Sequence, residues 1–233
     1  MIPLTDTLPA RRTPWVTYGL IALNSLVFLY ELTLPREQLA LLFQAFGVVP
    51  AHLWHPEGAA PYHTLLTHMF LHGGWGHLIS NMWALWIFGD NVEDRLGHGR
   101  YFLFYLLAGV GAALIHSLLN ASSVVPSVGA SGAISGVMGA YLLMFPFSRI
   151  ITILPLFFMA YMIPVPAYFY IGAWFIGQLT AGMMSLALPG TTGIAFWAHV
   201  GGFLVGMGMV RLLDRRAVRE YYRQFIFPRR YVK

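Results

Sequence analysis

From Val16 to Leu32 the chain carries a single charged side chain, Glu31, and comparable apolar runs recur along it. One begins between Thr64 and Trp75 and continues to Gly89. Others run from Tyr101 to Leu119, Ser131 to Phe145, about Ala167 to Leu188, and about Ile194 to Leu213. All but the fourth approach or reach the roughly 20 residues that a helix needs to cross a bilayer. With 58% hydrophobic residues, 10% charged residues and a mean hydropathy of +0.64, the 233-residue chain is too apolar for a soluble globule. The expected fold class is therefore all-α, a single polytopic, multi-pass membrane domain at residues 14–213.

Residues 1–13 contain Pro3, Pro9, Arg11 and Arg12 and read as a short flexible cytoplasmic tail. The Val16 to Leu32 run lacks a small-residue cleavage signature at its end, so it reads as a span and not as a signal peptide. Residues 35–62 mix Leu39, Leu41, Leu42, Phe43 and Phe46 with Arg36, Glu37, Gln38 and Gln44, and then carry Pro50, Trp54 and Pro56. That composition suits an amphipathic connection lying in the outer interface. Asp90, Glu93, Asp94, Arg95, His98 and Arg100 read as a charged turn between the second and third spans. Pro155, Pro164 and Pro166 break the apolar stretch after Arg149, which reads as a loop or re-entrant piece.

The charges define an orientation. If six helices cross and both termini are cytoplasmic, Arg11, Arg12, Arg95, Arg100, Arg149 and everything from Arg211 to Lys233 lie inside, and only Arg36 lies outside. The net charge of +5 therefore reflects placement in a lipid bilayer; with no basic patch interleaved with aromatics, no nucleic-acid partner is expected. The basic tail at 214–233 reads either as a segment resting on the anionic inner leaflet or as a solvated helix. The chain has no cysteine, which excludes disulfides and thiolate metal sites.

The fourth run is the anomaly. Ser131 to Phe145 extends only about 21 Å as a helix, against a hydrocarbon core of about 30 Å. It opens in Gly129-Ala130-Ser131-Gly132, which puts a hydroxyl at a helix start, beside amides that lack intrahelical partners and carry the positive end of the macrodipole. Small residues at this spacing also serve simply to let membrane helices pack. Ser131 would begin about 9 Å below the outer surface, and His199, near the outer end of the sixth run, about 7 to 8 Å deep. The two are level. Gly132, Gly136 and Gly139 on the fourth helix and Gly202 and Gly206 on the sixth allow close approach if those faces meet.

His77 and Asn81, spaced i, i+4, share a face of the second helix near the same depth. They are candidate donors to an oxyanion, together with the Ser131 amide, or else polar contacts between helices. No carboxylate lies in the middle of a span, so a Ser-His dyad fits better than a triad.

Taken in order, Gly129-Ala130-Ser131-Gly132, His77-xxx-Asn81 and Ala198-His199-xx-Gly202 resemble the rhomboid family of intramembrane serine proteases, over about Trp15 to Leu213. Phe70 to Trp75 and Glu93 to Tyr101 are similar to prokaryotic members, which implies a prokaryotic cell membrane. The resemblance implies a rhomboid-like six-helix bundle with Ser131 as nucleophile, His199 as general base, and His77 and Asn81 as oxyanion stabilisers. It also implies transmembrane protein substrates and a lateral gate at the fifth helix, around Phe169 and Trp174. Two departures stand out. Trp54 is followed by His55 where some members have arginine, and Ser135 stands where some have an aromatic ring to stack on the histidine.

No cofactor and no metal are expected. There is no His-Glu-x-x-His motif, Gly89-Asp90 has no partner aspartate within a span, and His63, His68 and His72 lack a carboxylate or cysteine beside them. The competing readings are a transporter or proton relay using the same residues, and a non-catalytic protein that binds client helices. The sequence does not specify an oligomeric state.

Overall fold

Five helices and a short strand precede the third apolar run: β1 (Ile2–Asp6), α1 (Trp15–Glu31), α2 (Arg36–Phe46), α3 (Pro50–Trp54), α4 (Thr64–Thr67) and α5 (Trp75–Leu96). Then follow α6 (His98–Leu119), α7 (Ser131–Met144), a hairpin of β2 (Arg149–Leu156) and β3 (Met159–Pro166), α8 (Ala167–Ala187) and α9 (Phe196–Leu213). This computed structural model describes residues 2–156, 159–187 and 194–214. The basic tail beyond Asp214 lies outside the described residues. By length and composition, α6 and α9 are apolar enough to cross a membrane, and α7 is a shorter apolar helix. Exposed Leu26, Trp83, Trp86, Phe169, Ile176 and Met184 give the helices an apolar outer surface suited to lipid.

The short helix is the centre of the molecule. Every residue of α7 is buried except Ser131 and Leu142, which are partly exposed. A helix apolar on all sides must be enclosed by others, and α9, α6 and α5 enclose this one. Its closest neighbour is α9, and the reason is the glycines. A Cβ on Gly206 would lie 2.5 Å from Gly136 Cα, and one on Gly202 would lie 2.9 Å from the Gly132 carbonyl carbon, so no side chain fits between the two backbones.

The expected charged turn is mostly helix. α5 continues through Asp90, Glu93 and Arg95 to Leu96, and the chain reverses at Gly97, whose φ of 79° favours glycine. Glu93 is fully buried because α1 needs it. Its carboxylate accepts the Val16 and Thr17 amides at 2.9 and 2.8 Å and the Thr17 hydroxyl at 2.7 Å, capping a helix whose preceding residue, Pro14, supplies no side-chain cap.

Two expectations need correction. The chain is mainly helical but not all-α: the proline-broken stretch is a β-hairpin, and residues 2–6, expected in a flexible tail, add a third strand in the order β1-β2-β3. The prolines fit because of where they fall. Pro155 lies beyond Ile153, the last β2 residue paired with β1, and Pro164 and Pro166 are on the edge strand β3. The first strand is also held by its side chains, for Asp6 accepts from the Asn91 amide at 3.0 Å and from the Tyr141 hydroxyl.

At the opposite end, the connection between α1 and α5 folds over the α6–α7 loop. Val48 and Ser127 exchange backbone bonds of 2.9 and 2.8 Å, and Trp54 Nε1 donates to Ser117 O at 2.9 Å. Helix α2 buries no residue and exposes Leu41 and Phe46, as an interfacial helix would.

Candidate active site

The residue before the α7 turn sets the geometry. Gly129 adopts φ 125°, its amide donates to His68 O at 2.8 Å, and the chain turns through Ala130 into a helix with no side-chain cap. The first amides of α7, including that of Ser131, therefore stay available to a ligand. Inside the first turn the Ser135 hydroxyl donates to Ser131 O at 2.6 Å.

α9 starts level with this point. His199 lies in its first turn, and the glycine contacts described above draw that turn against α7. The result is a 2.8 Å hydrogen bond between Ser131 Oγ and His199 Nε2. Residues 68 positions apart in sequence thus meet as hydroxyl and imidazole.

α5 brings the other two predicted residues to the same place. A Cβ on Gly129 would lie 2.6 Å from His77 Nε2 and 3.7 Å from Asn81 Nδ2, so both side chains face the loop that carries the serine. Gly73 donates its amide to His77 Nδ1 at 3.4 Å, which leaves the ring proton on Nε2. Asn81 is buried, and its Nδ2 has no partner among the described residues. A buried amide donor without an acceptor is uncommon in a finished structure, and here it lies beside the Gly129 turn that leads into Ser131.

One residue at the site was not anticipated. Gln178 on α8 places Oε1 2.7 Å from His199 Nδ1. A signal for it existed, since it is the only amide side chain in an otherwise apolar span. Ser135 supplies no ring to the histidine, as expected, but α8 does. The Trp174 ring centre is 6.2 Å from that of His199 at an interplanar angle of 33°, and Phe196 lies edge-on at 6.5 Å.

His72 packs edge-on against His77, with ring centres 5.1 Å apart, whereas two other histidines turn elsewhere. His63 Nε2 bonds Ala45 O and His68 Nδ1 bonds Thr64 O, both at 2.9 Å. Among the described residues, no group of three or more histidine, aspartate or glutamate side chains could hold a metal ion.

Comparison with known proteins agrees with the resemblance. The family described as Rhomboid domain matches residues 59–216. Rhomboid-like protein 11, chloroplastic, of Arabidopsis thaliana is 32% identical over 74% of this chain and 59% of its own length. Rhomboid protein 1, mitochondrial, of Saccharomyces cerevisiae is 31% identical over 59% of this chain and 38% of its own. Rhomboid protease GluP of Bacillus subtilis is 39% identical over 55% of this chain and 24% of its own. The chain thus spans less than two thirds of the length of each of these relatives. Because they include chloroplast, mitochondrial and bacterial proteins, the similarity does not single out a prokaryotic membrane. From the matched domain and these relatives, the chain belongs to the rhomboid family of membrane-integral proteins.

Proposed function

We propose that this protein is an intramembrane serine endopeptidase that cleaves transmembrane proteins within or beside their membrane segments. The observation that carries the reading is the 2.8 Å bond between Ser131 Oγ and His199 Nε2, made between two helices inside an apolar bundle. The relative named as a protease supports it. In this reading Ser131 attacks the scissile carbonyl carbon while His199 Nε2 takes the hydroxyl proton. The oxyanion forms among the Ser131 amide, His77 Nε2–H and Asn81 Nδ2. His199 then delivers its proton to the leaving amine. Water, activated by the same nitrogen, hydrolyses the acyl-enzyme and restores Ser131.

The topology that suits this chemistry has six crossings, both termini cytoplasmic, and the serine near the outer face. Residues 1–13 and 214–233 would then flank a membrane domain of residues 14–213. Substrate carbonyls in an intact helix are engaged in its own hydrogen bonds, so the expected cleavage sites are unwound segments with small or helix-breaking residues. The site groups near one end of the bundle, which disfavours a transporter with a midplane site.

The test is cleavage of a transmembrane model substrate by the reconstituted protein, together with labelling of Ser131 by a fluorophosphonate. Ser131→Ala and His199→Ala are each expected to abolish cleavage, and His199→Ala to prevent labelling. Full turnover by Ser131→Ala would end the proposal.

A further inference from the structure

A neutral imidazole carries one proton on one of two nitrogens, and the partner of the far nitrogen decides which. For His199 to accept a proton from Ser131, Nε2 must be bare and Nδ1 must carry the hydrogen. In a low-dielectric site that hydrogen needs an acceptor. Gln178 Oε1, at 2.7 Å, is that acceptor.

Building on the serine protease reading, we propose that Gln178 is a positioning residue that holds His199 in the base-competent tautomer, and that α8 thereby governs whether the base is active. The carboxamide accepts this hydrogen without burying a second charge. Its two ends also have opposite consequences. Turned end for end, it would present its NH2 group to Nδ1, move the ring proton to Nε2, and offer Ser131 a donor in place of an acceptor.

The coupling to α8 follows from how that helix is held. Only Ala167, Ile171 and Gly182 of its residues are buried. Toward α9 it presents a narrow stripe: Phe175 stacks on Phe203 with ring centres 4.4 Å apart, and Gly182 sits against Trp197. Gln178 lies between these two contacts, at spacings of three and four residues, on the same face. A displacement of α8 from α9 by about 1 Å carries the 2.7 Å bond beyond hydrogen-bond range. Any such displacement of α8 would therefore switch the base off until α8 returned.

The experiment compares wild type, Gln178→Leu and Gln178→Glu in detergent, with the His199 tautomer read by 15N-histidine NMR and kcat and KM measured on a transmembrane substrate. Wild type is expected to show a protonated Nδ1. Gln178→Leu removes the acceptor at similar volume, and should populate the Nε2–H form and lower kcat by about 100-fold with KM within about twofold. Gln178→Glu keeps an acceptor and should recover Nδ1–H and most of the lost kcat. A wild-type tautomer and kcat in Gln178→Leu, or no recovery in Gln178→Glu with its fold intact by circular dichroism, overturns the proposal. The NMR readout does not require turnover. An inactive wild-type protein with Nδ1–H lost in Gln178→Leu would refute the protease reading while leaving the role of Gln178 standing.

Discussion

Replacing Gly202 with alanine tests whether backbone contact between α7 and α9 aligns the site. The new Cβ would lie 2.9 Å from the Gly132 carbonyl carbon, closer still to its oxygen, and 3.2 Å from Ala112 Cβ. Ordinary van der Waals contact begins near 3.4 Å. The obstructing atoms are mainly backbone, so no rotamer change relieves them and the helices must part by about 1 to 1.4 Å. Gly202 is one turn from His199, and Gly132 adjoins Ser131. The 2.8 Å Ser131–His199 bond would therefore open to between about 3.8 and 4.2 Å, past the hydrogen-bond limit. Misplacement on this scale is expected to lower kcat by about 100-fold, and the overpacking to reduce stability by about 1 to 3 kcal/mol. Substrate cleavage in proteoliposomes and thermal melting by circular dichroism measure the two effects. Gly172→Ala and Gly177→Ala are the controls, because an added Cβ meets nothing within 4 Å at either position; activity should hold within about twofold. Wild-type kcat in a folded Gly202→Ala protein would refute the idea that the glycine contact sets the dyad distance.

Asn81→Ala should lower kcat by about 100-fold with little change in KM, because its donor acts on an oxygen charged only in the transition state; steady-state kinetics at several substrate densities would reveal an effect confined to KM as contrary. Glu93→Ala should destabilise the fold by about 2 to 3 kcal/mol, since three donors of α1, two of them buried, lose their acceptor; an unchanged melting temperature would count against the capping role. Asp6, outside the helical bundle, has its carboxyl held above the usual aspartate range by burial, partly offset by the bond from Tyr141. The folded form therefore binds the proton more tightly than the unfolded form. This stabilising contribution is complete below the ordinary value of 3.8 and is lost as pH rises through the raised value. Melting curves should show β1 docking weaken across that interval, and Asp6→Asn should remove the dependence.

Much of the fold could be read because apolar length is a strong local signal. The six apolar runs fall within a few residues of α1 and α5 to α9, apart from α5, which runs on through the acidic residues. That extension was hidden because Glu93 looks like a solvated turn residue until the uncapped start of α1 is brought against it. The sheet was hidden for a related reason. Residues 149–166 do not alternate clearly and contain three prolines, so only knowledge of where β1 ends, and of which strand is the edge, shows that they can pair. β1 itself has little local preference and depends on Tyr141 and Asn91 for its place.

At the site, the residue types and their common level were legible in the sequence: a hydroxyl at a helix start, an imidazole level with it, and two donors on one face of a third helix. Motif order and helix length determine these, and both are properties of the linear chain. Whether hydroxyl and imidazole touch depends on the rotation and separation of α7 and α9, which their opposed glycines set only after the helices pack. The acceptor behind His199 is more dependent on packing still. Gln178 belongs to another helix, and no local spacing relates it to the histidine. It was the docking of α8 on α9, through Phe175 and Gly182, that decided this contact.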